Sequence, residues 1–199
     1  MAPGPRPWVI AHRGASAWLP EHTFAAYARA IADGADAIEP DLVMTRDGVL
    51  VARHENEIGG TTDVADRPEF AARRTRRQVD GEWVEGWFTE DFTLAELRTL
   101  RARERLPRLR STAHDGRFAV PTFDEVLALA AAESSRLGRD IGVVPELKHP
   151  SHFAALGLDL VAALLRSLAA SAFAQRAPLL VQCFEVAPLR ALREALPRG

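Results

Sequence analysis

Two carboxylates stand two residues apart in Ile38-Glu39-Pro40-Asp41, flanked by apolar Ala37-Ile38 and Leu42-Val43. Residues two apart on a strand face the same side, so Glu39 and Asp41 project together and repel each other. A divalent cation would relieve that repulsion, and an all-oxygen donor set suits Mg²⁺ or Ca²⁺. The alternative is a strand end whose acids face water or pair with arginines. Glu146 and Lys148 repeat the spacing after the apolar run Ile141-Gly142-Val143-Val144. There Glu146 could complete a set of three acids and Lys148 could meet a phosphate oxygen as a point charge; a plain salt bridge is the alternative. His12 and His54 each follow a short apolar run. Imidazole titrates near neutrality, so one histidine can take a proton from a nucleophile while the other gives one to a leaving oxygen. Arg13 adds a planar fork suited to phosphate. Phosphodiester cleavage needs both proton transfers and neutralisation of charge on the phosphoryl oxygens.

The elements that must position these groups read as follows. Trp8 to Ala11 is a buried strand ending in the loop His12-Arg13-Gly14, and Phe24 to Asp33 is an alanine-rich helix stopped by Gly34. Asp36 to Val43 is a second strand, Asp47-Gly48 a turn, and Val49 to Arg53 an extended return arm. Residues 55–117 break the rhythm with glycines, dense charge and little alternation, and read as an insertion rather than a second domain. Within it Thr93 and Glu96 have the spacing of a capping box. Afterwards come a helix from Pro121 to about Leu137, a strand Ile141–Leu147, a helix from Leu156 to about Ala172, a strand Leu179–Phe184 and a helix Ala187–Leu196. Strand–helix alternation implies an α/β fold with a mostly parallel sheet. His22 either sits near the site or helps start the first helix; His114, His149 and His152 are expected to face solvent. The cluster Arg73, Arg74, Arg76 and Arg77 reads as solvated surface beside its neighbouring acids.

Composition narrows the function classes. The chain has 199 residues, 47% of them hydrophobic, enough for one domain with a sizeable core. Its 25 basic and 27 acidic residues leave a net charge of −2, which gives no footprint for nucleic acid. Cys183 is the sole cysteine, which excludes an intrachain disulfide or a thiolate metal site and suggests a small, at least half-buried side chain. No apolar stretch reads as a membrane span or a leader, which implies a cytoplasmic protein, or a periplasmic or secreted one if a leader has been lost.

The chain resembles the glycerophosphodiester phosphodiesterases, in the larger bacterial form with an insertion after the second strand. The resemblance rests on His12-Arg13-Gly14 with Pro20-Glu21-His22-Thr23, Ile38-Glu39-Pro40-Asp41 through Thr45-Arg46-Asp47-Gly48, and Val51-Ala52-Arg53-His54-Glu55. It continues through Thr61-Thr62-Asp63-Val64, Asp91-Phe92-Thr93-Leu94, Pro121-Thr122-Phe123-Asp124-Glu125, Pro145-Glu146-Leu147-Lys148 and Gln182-Cys183-Phe184. The resemblance implies a (β/α)₈ TIM-type barrel, with His12 and His54 as the acid–base pair, Glu39, Asp41 and Glu146 as ligands of Mg²⁺ or Ca²⁺, and Arg13 and Lys148 on the phosphate. It implies hydrolysis of a small glycerophosphodiester to sn-glycerol 3-phosphate and an alcohol, through attack of the glycerol 2-hydroxyl on phosphorus.

Three departures accompany it. The family usually has His-Asp where this chain has His54-Glu55, and Gln-Ser-Phe where it has Gln182-Cys183-Phe184. About four strand–helix units are countable, where a (β/α)₈ barrel has eight and about 250 residues. The expectation is therefore a single domain over residues 1–199 truncated to about the first half of the barrel, its open edge prone to self-association. The alternatives are a non-catalytic remnant of such an enzyme, or a related sphingomyelin-type phospholipase D.

Overall fold

The computed structural model describes residues 6–196. Strand β1 (Ile10–His12) is followed by helix α1 (Phe24–Ala32), then β2 (Ala37–Glu39), β3 (Asp41–Met44) and β4 (Leu50–Ala52). The second strand of the sequence reading is thus two strands, divided at Pro40, which has no amide hydrogen for a ladder. Helix α1 starts where the Thr23 hydroxyl accepts from Ala26 N, and it ends before Gly34, whose φ of 101° no other residue type adopts readily. It buries Tyr27 and Ile31 against the sheet.

Residues 55–117 hold more order than their irregular pattern suggests. Three 3₁₀ turns, the hairpin β5 (Thr75–Val79) and β6 (Glu82–Gly86), and the four-residue helix α2 (Leu94–Leu97) lie there. The hairpin turns on Asp80-Gly81, both with positive φ (48° and 87°), the requirement of a two-residue turn that matches strand twist. Thr93 and Glu96 form the capping box as expected. Arg73 and Arg77 are not simply solvated. They pair with Glu96, Glu90 and Asp91, half-buried against the Phe70, Phe92 and Phe88 rings.

The regular pattern resumes with α3 (Phe123–Leu137), opened by a Thr122–Glu125 capping box and closed by Gly138 at φ 63°. Pro145 divides the next strand into β7 (Gly142–Val143) and β8 (Glu146–Leu147). An additional short helix, α4 (Pro150–Ala155), precedes the one expected from Leu156, which begins four residues later, as α5 (Leu160–Ala170). Gly157, at φ 78°, ends the first, and the Asp159 carboxylate accepts from Ala162 N to start the second. Strand β9 (Gln182–Cys183) and α6 (Val186–Ala195) complete the described chain.

Two sheets result, β1-β2-β7 and β4-β3-β8-β9, parallel except for the β3–β4 hairpin. Among the described residues they do not close into a barrel. Helices α1, α3 and α5 cover the outer side, with Ile38, Leu42, Val51, Phe123, Val126 and Leu164 in one core. Phe123 is fully buried, and truncating such a ring to alanine costs about 3–5 kcal/mol. No helix among the described residues is long and apolar enough to cross a membrane.

Candidate active site

Register builds the site. In the parallel ladders His12 lies opposite Glu39, Asp41 opposite Glu146, and Glu146 opposite Gln182. Glu146, over a hundred residues further along the chain, therefore meets Glu39 and Asp41 at one rim. One carboxylate oxygen from each of Glu39, Asp41 and Glu146 lies within 4.8 Å of the others, and all three residues are buried. His54 reaches the same rim because Arg53 N donates to Asp41 O at 3.0 Å, anchoring the end of β4.

The local charges are arranged unequally. Glu39 Oε2 accepts from the backbone N–H of Arg13 at 3.0 Å, whereas Glu39 Oε1 is buried without a hydrogen-bond partner. Burial, and then the charge of Asp41, pushes the Glu39 carboxyl well above the usual carboxylate range. Burial acts on Asp41 too, but the His22 hydrogen bond and the nearby cations overcome it and hold Asp41 well below that range. Lys148 Nζ donates to Glu146 Oε1 at 2.5 Å and lies 3.1 Å from Asp41 Oδ1, so its ammonium bridges two of the three acids. Burial opposes that charge, yet Glu146 and Asp41 raise the Lys148 pKa.

An all-oxygen, buried, mutually repelling set with an orphaned Glu39 oxygen fits a hard divalent cation.

The two histidines and Arg13 border the acids. His12 ends β1 at an exposed edge; loss of hydration on its protein-facing side, followed by the Arg13 charge, lowers its pKa, while Asp41 raises it. Arg13 has φ 63°, a left-handed conformation that turns its guanidinium back to Asp41 (Nε to Oδ2, 3.3 Å) and Glu21 (3.3 Å). The neighbouring Gly14 is required by space as well as by its φ of 79°, since a Cβ there would stand 2.7 Å from the Ala26 carbonyl carbon.

Several further residues, given no catalytic or ligand role from sequence, complete this constellation, and His22 takes the first of its two expected places, near the site. His22 is fully buried at φ 54°; its Nε2 lies 2.9 Å from Asp41 Oδ2 and its Nδ1 2.7 Å from the Tyr27 hydroxyl. Burial lowers its pKa to about 4, so the neutral ring donates from Nε2 to Asp41 and accepts from Tyr27 at Nδ1. Glu21 is buried between Arg105 (2.7 Å) and Arg13. Arg53, also buried, spans the underside of the first loop. The expectation of solvent-facing histidines fails for His149 and His152. His149 is held between Glu55 and Asp80, and His152 meets the buried Glu90 at 2.7 Å. Carboxylates brought in by residues 55–117 cover both rings. His114 is half-buried, stacked on Phe118.

A cavity of about 130 Å³ opens beside the acids, lined by His54, Glu55, Asp80, Lys148, His149 and Phe184.

The model of the glycerophosphoryl diester phosphodiesterase family matches residues 12–199. A glycerophosphodiester phosphodiesterase of Arabidopsis thaliana is 46% identical over 145 residues, covering 73% of this chain and 38% of the plant protein. A Haemophilus influenzae glycerophosphodiester phosphodiesterase is 30% identical over 96% of this chain and 53% of its own length. The chain thus spans about half, or less, of these curated relatives. Among solved structures, that of a Silicibacter pomeroyi protein described as a putative glycerophosphoryl diester phosphodiesterase superposes with a TM-score of 0.68 at 27% identity, covering 94% of this chain and 61% of that one. An Oleispira antarctica phosphodiesterase, solved with its product sn-glycerol-3-phosphate, shares the fold with a TM-score of 0.67 at 24% identity, over 96% and 62% of the two chains. With the acids, the rim and the sheet register in place, these matches over nearly its whole length establish that the chain belongs to the glycerophosphoryl diester phosphodiesterase family.

Proposed function

We propose that this chain hydrolyses glycerophosphodiesters to sn-glycerol 3-phosphate and an alcohol, by metal-assisted catalysis with His12 and His54 as the acid–base pair. The observation that carries the reading is the convergence of Glu39, Asp41 and Glu146, with one buried Glu39 oxygen unpartnered. These three residues would hold the divalent cation, Mg²⁺ or Ca²⁺. When bound, such an ion offsets negative charge on phosphoryl oxygens and polarises them.

The chain's own groups do the rest. Arg13 and Lys148 flank the acids from two sides and present cationic donors to a phosphate. One histidine removes the proton of the attacking hydroxyl, and the other protonates the departing alcohol oxygen. His12 stands opposite Glu39 in the ladder, and the Arg53–Asp41 backbone bond carries His54 to the same rim, which supports placing both at one reaction centre. His22 keeps Asp41 oriented and ionised.

The test is release of glycerol 3-phosphate from glycerophosphocholine by folded protein, with and without chelator. Chelator-sensitive release that Glu39→Gln abolishes is expected. Folded protein that binds divalent ions yet releases no glycerol 3-phosphate would refute the activity. The second reading, a folded but non-catalytic chain, draws on the 93% exposure of Phe184 beside the acids and on β1 and β9, each paired on one side only among the described residues. Self-association through those edges belongs to that reading. A head-group screen separates both from a sphingomyelin-type phospholipase D.

A further inference from the structure

Four non-glycine residues have positive φ among the described residues, and all four border the site: Arg13, His22, Asp80 and His149. Such backbone is costly and concentrates where a side chain must be aimed. Contacts already described account for Arg13 and His22. Asp80 and His149, 69 positions apart, have left-handed φ of 48° and 51° and meet each other.

The contacts form a chain. Asp80 Oδ2 lies 2.6 Å from His149 Nδ1, His149 Nε2 lies 3.3 Å from Glu55 Oε2, and Glu55 Oε1 lies 2.5 Å from His54 Nδ1. Each His149 ring nitrogen faces a carboxylate oxygen, the geometry of a ring that donates at both; burial disfavours its charge, but the Glu55 and Asp80 carboxylates raise its pKa. The His54–Glu55 contact is close but off the line of a hydrogen bond, so it acts as charge against ring nitrogen. Asp80 comes from the hairpin turn, His149 from the residue before α4, and His54 from the residues after β4. All line one cavity.

We propose that Asp80 and His149 form a positioning relay that pins the Glu55 carboxylate against His54 Nδ1, fixing the proton there and leaving His54 Nε2 to face the cavity. The inference rests on the reading of His54 as a proton carrier for its catalytic meaning, but the tautomer it assigns is a property of the resting protein. In a neutral imidazole, the nitrogen that keeps the proton is set by the partner of that nitrogen. Glu55 is a bridging acid here because its length lets one oxygen reach each histidine. An aspartate, one methylene shorter, reaches only one. His54, His149 and Asp80 are positioned by three separate elements, so the relay also makes the hairpin part of the site.

The test is ¹⁵N NMR of histidine-labelled full-length protein at a pH where the His54 resonances no longer change, with resonances assigned through His54→Gln. Wild type is expected to show His54 as the Nδ1–H tautomer. Glu55→Gln, Glu55→Asp and His149→Asn are expected to return it mainly to the Nε2–H form, and Asp80→Asn to shift it partly in that direction. Asp80→Asn keeps a residue that tolerates the left-handed turn, so it reports on the relay without loss of the hairpin. In turnover of glycerophosphocholine, Glu55→Gln should lower kcat about 10–100-fold with KM changed less than threefold, the range seen when a group behind a functional residue is removed. An Nε2–H tautomer in the wild type, or an Nδ1–H tautomer unmoved by Glu55→Asp, would overturn the relay. Loss of turnover in the wild type with the tautomer pattern intact would refute the proposed activity and leave the relay standing.

Discussion

Replacing Arg53 with methionine should destabilise the protein by about 3–5 kcal/mol. The side chain is 1% exposed and donates from Nε to Ala52 O (2.9 Å), from Nη1 to Thr61 O (3.3 Å) and from Nη2 to Glu21 O (3.1 Å) and His22 O (3.2 Å). Burial lowers its pKa, to about 10, and it remains cationic at neutral pH. Hydrogen bonds from a charged donor contribute about 1.5–3 kcal/mol each, so four would give roughly 6–12 if independent. Methionine also removes the several kcal/mol spent on desolvating a guanidinium, which brings the net loss to the stated range. The assay is urea unfolding followed by the fluorescence of the four tryptophans. With a slope of about 2 kcal/mol per M, the midpoint should fall by about 1.5–2.5 M. Arg53→Lys keeps the charge but not the fork and should lose about half as much. A methionine variant within about 1 kcal/mol of wild type would show that this guanidinium does not hold the first loop, and the reasoning would fail.

Three further outcomes follow from the same geometry. His22→Leu strips Asp41 of its buried donor and Tyr27 of its acceptor, and should weaken divalent-cation binding about 10–100-fold by calorimetry; unchanged affinity would mean that Asp41 needs no support. Arg105 and the other surrounding cations overcome burial to lower the Glu21 pKa from 4.5 to about 2, so its contribution is complete above about pH 4.5 and lost as pH falls through 2. The stability gap between wild type and Glu21→Gln should therefore be on the order of 3 kcal/mol at pH 7 and shrink toward zero near pH 2; a gap independent of pH would contradict the pairing. Gly14→Ala sets a Cβ 2.7 Å from backbone at a φ of 79° and should lower stability by at least about 2 kcal/mol in thermal unfolding, whereas a neutral result would mean that the loop can move aside.

The chemistry of the rim was legible where close spacing carries it, even though Pro40 divides Glu39 and Asp41 between β2 and β3. Glu39 and Asp41 converge as their spacing suggests, and Glu146 with Lys148 repeats the pattern, because residues two apart in extended backbone are local neighbours. The capping boxes at Thr93 and Thr122 were legible for the same reason. What escaped depends on partners distant in sequence. Nothing near His22 announces Asp41, and nothing near His149 announces Asp80, 69 positions away. Arg53 looked like an ordinary motif neighbour, because its four acceptors are backbone carbonyls that leave no mark in sequence. The hairpin was a different kind of miss. Its Asp80-Gly81 turn is a strong local signal, but the flanking strands are mostly exposed and lack the apolar alternation of a core strand. Helix α4 was likewise readable from Pro150 in its first turn, and the later start of α5 from Gly157 and the Asp159 cap.

The two proline interruptions have a consequence for assembly. Pro40 follows Glu39, Pro145 precedes Glu146, and a hydrogen bond from Glu146 N to Pro40 O (3.0 Å) ties the two breaks together. Sliding either strand by one residue would place an imino nitrogen where the neighbour needs an amide and would turn the carboxylates into the oily layer beneath. The correct reading frame is thereby locked at the height where the acids stand. Misthreaded intermediates would forfeit the ladder and the acids together, so cation capture, if these acids hold the ion as proposed, would mark the moment a refolding chain's strands have found their places.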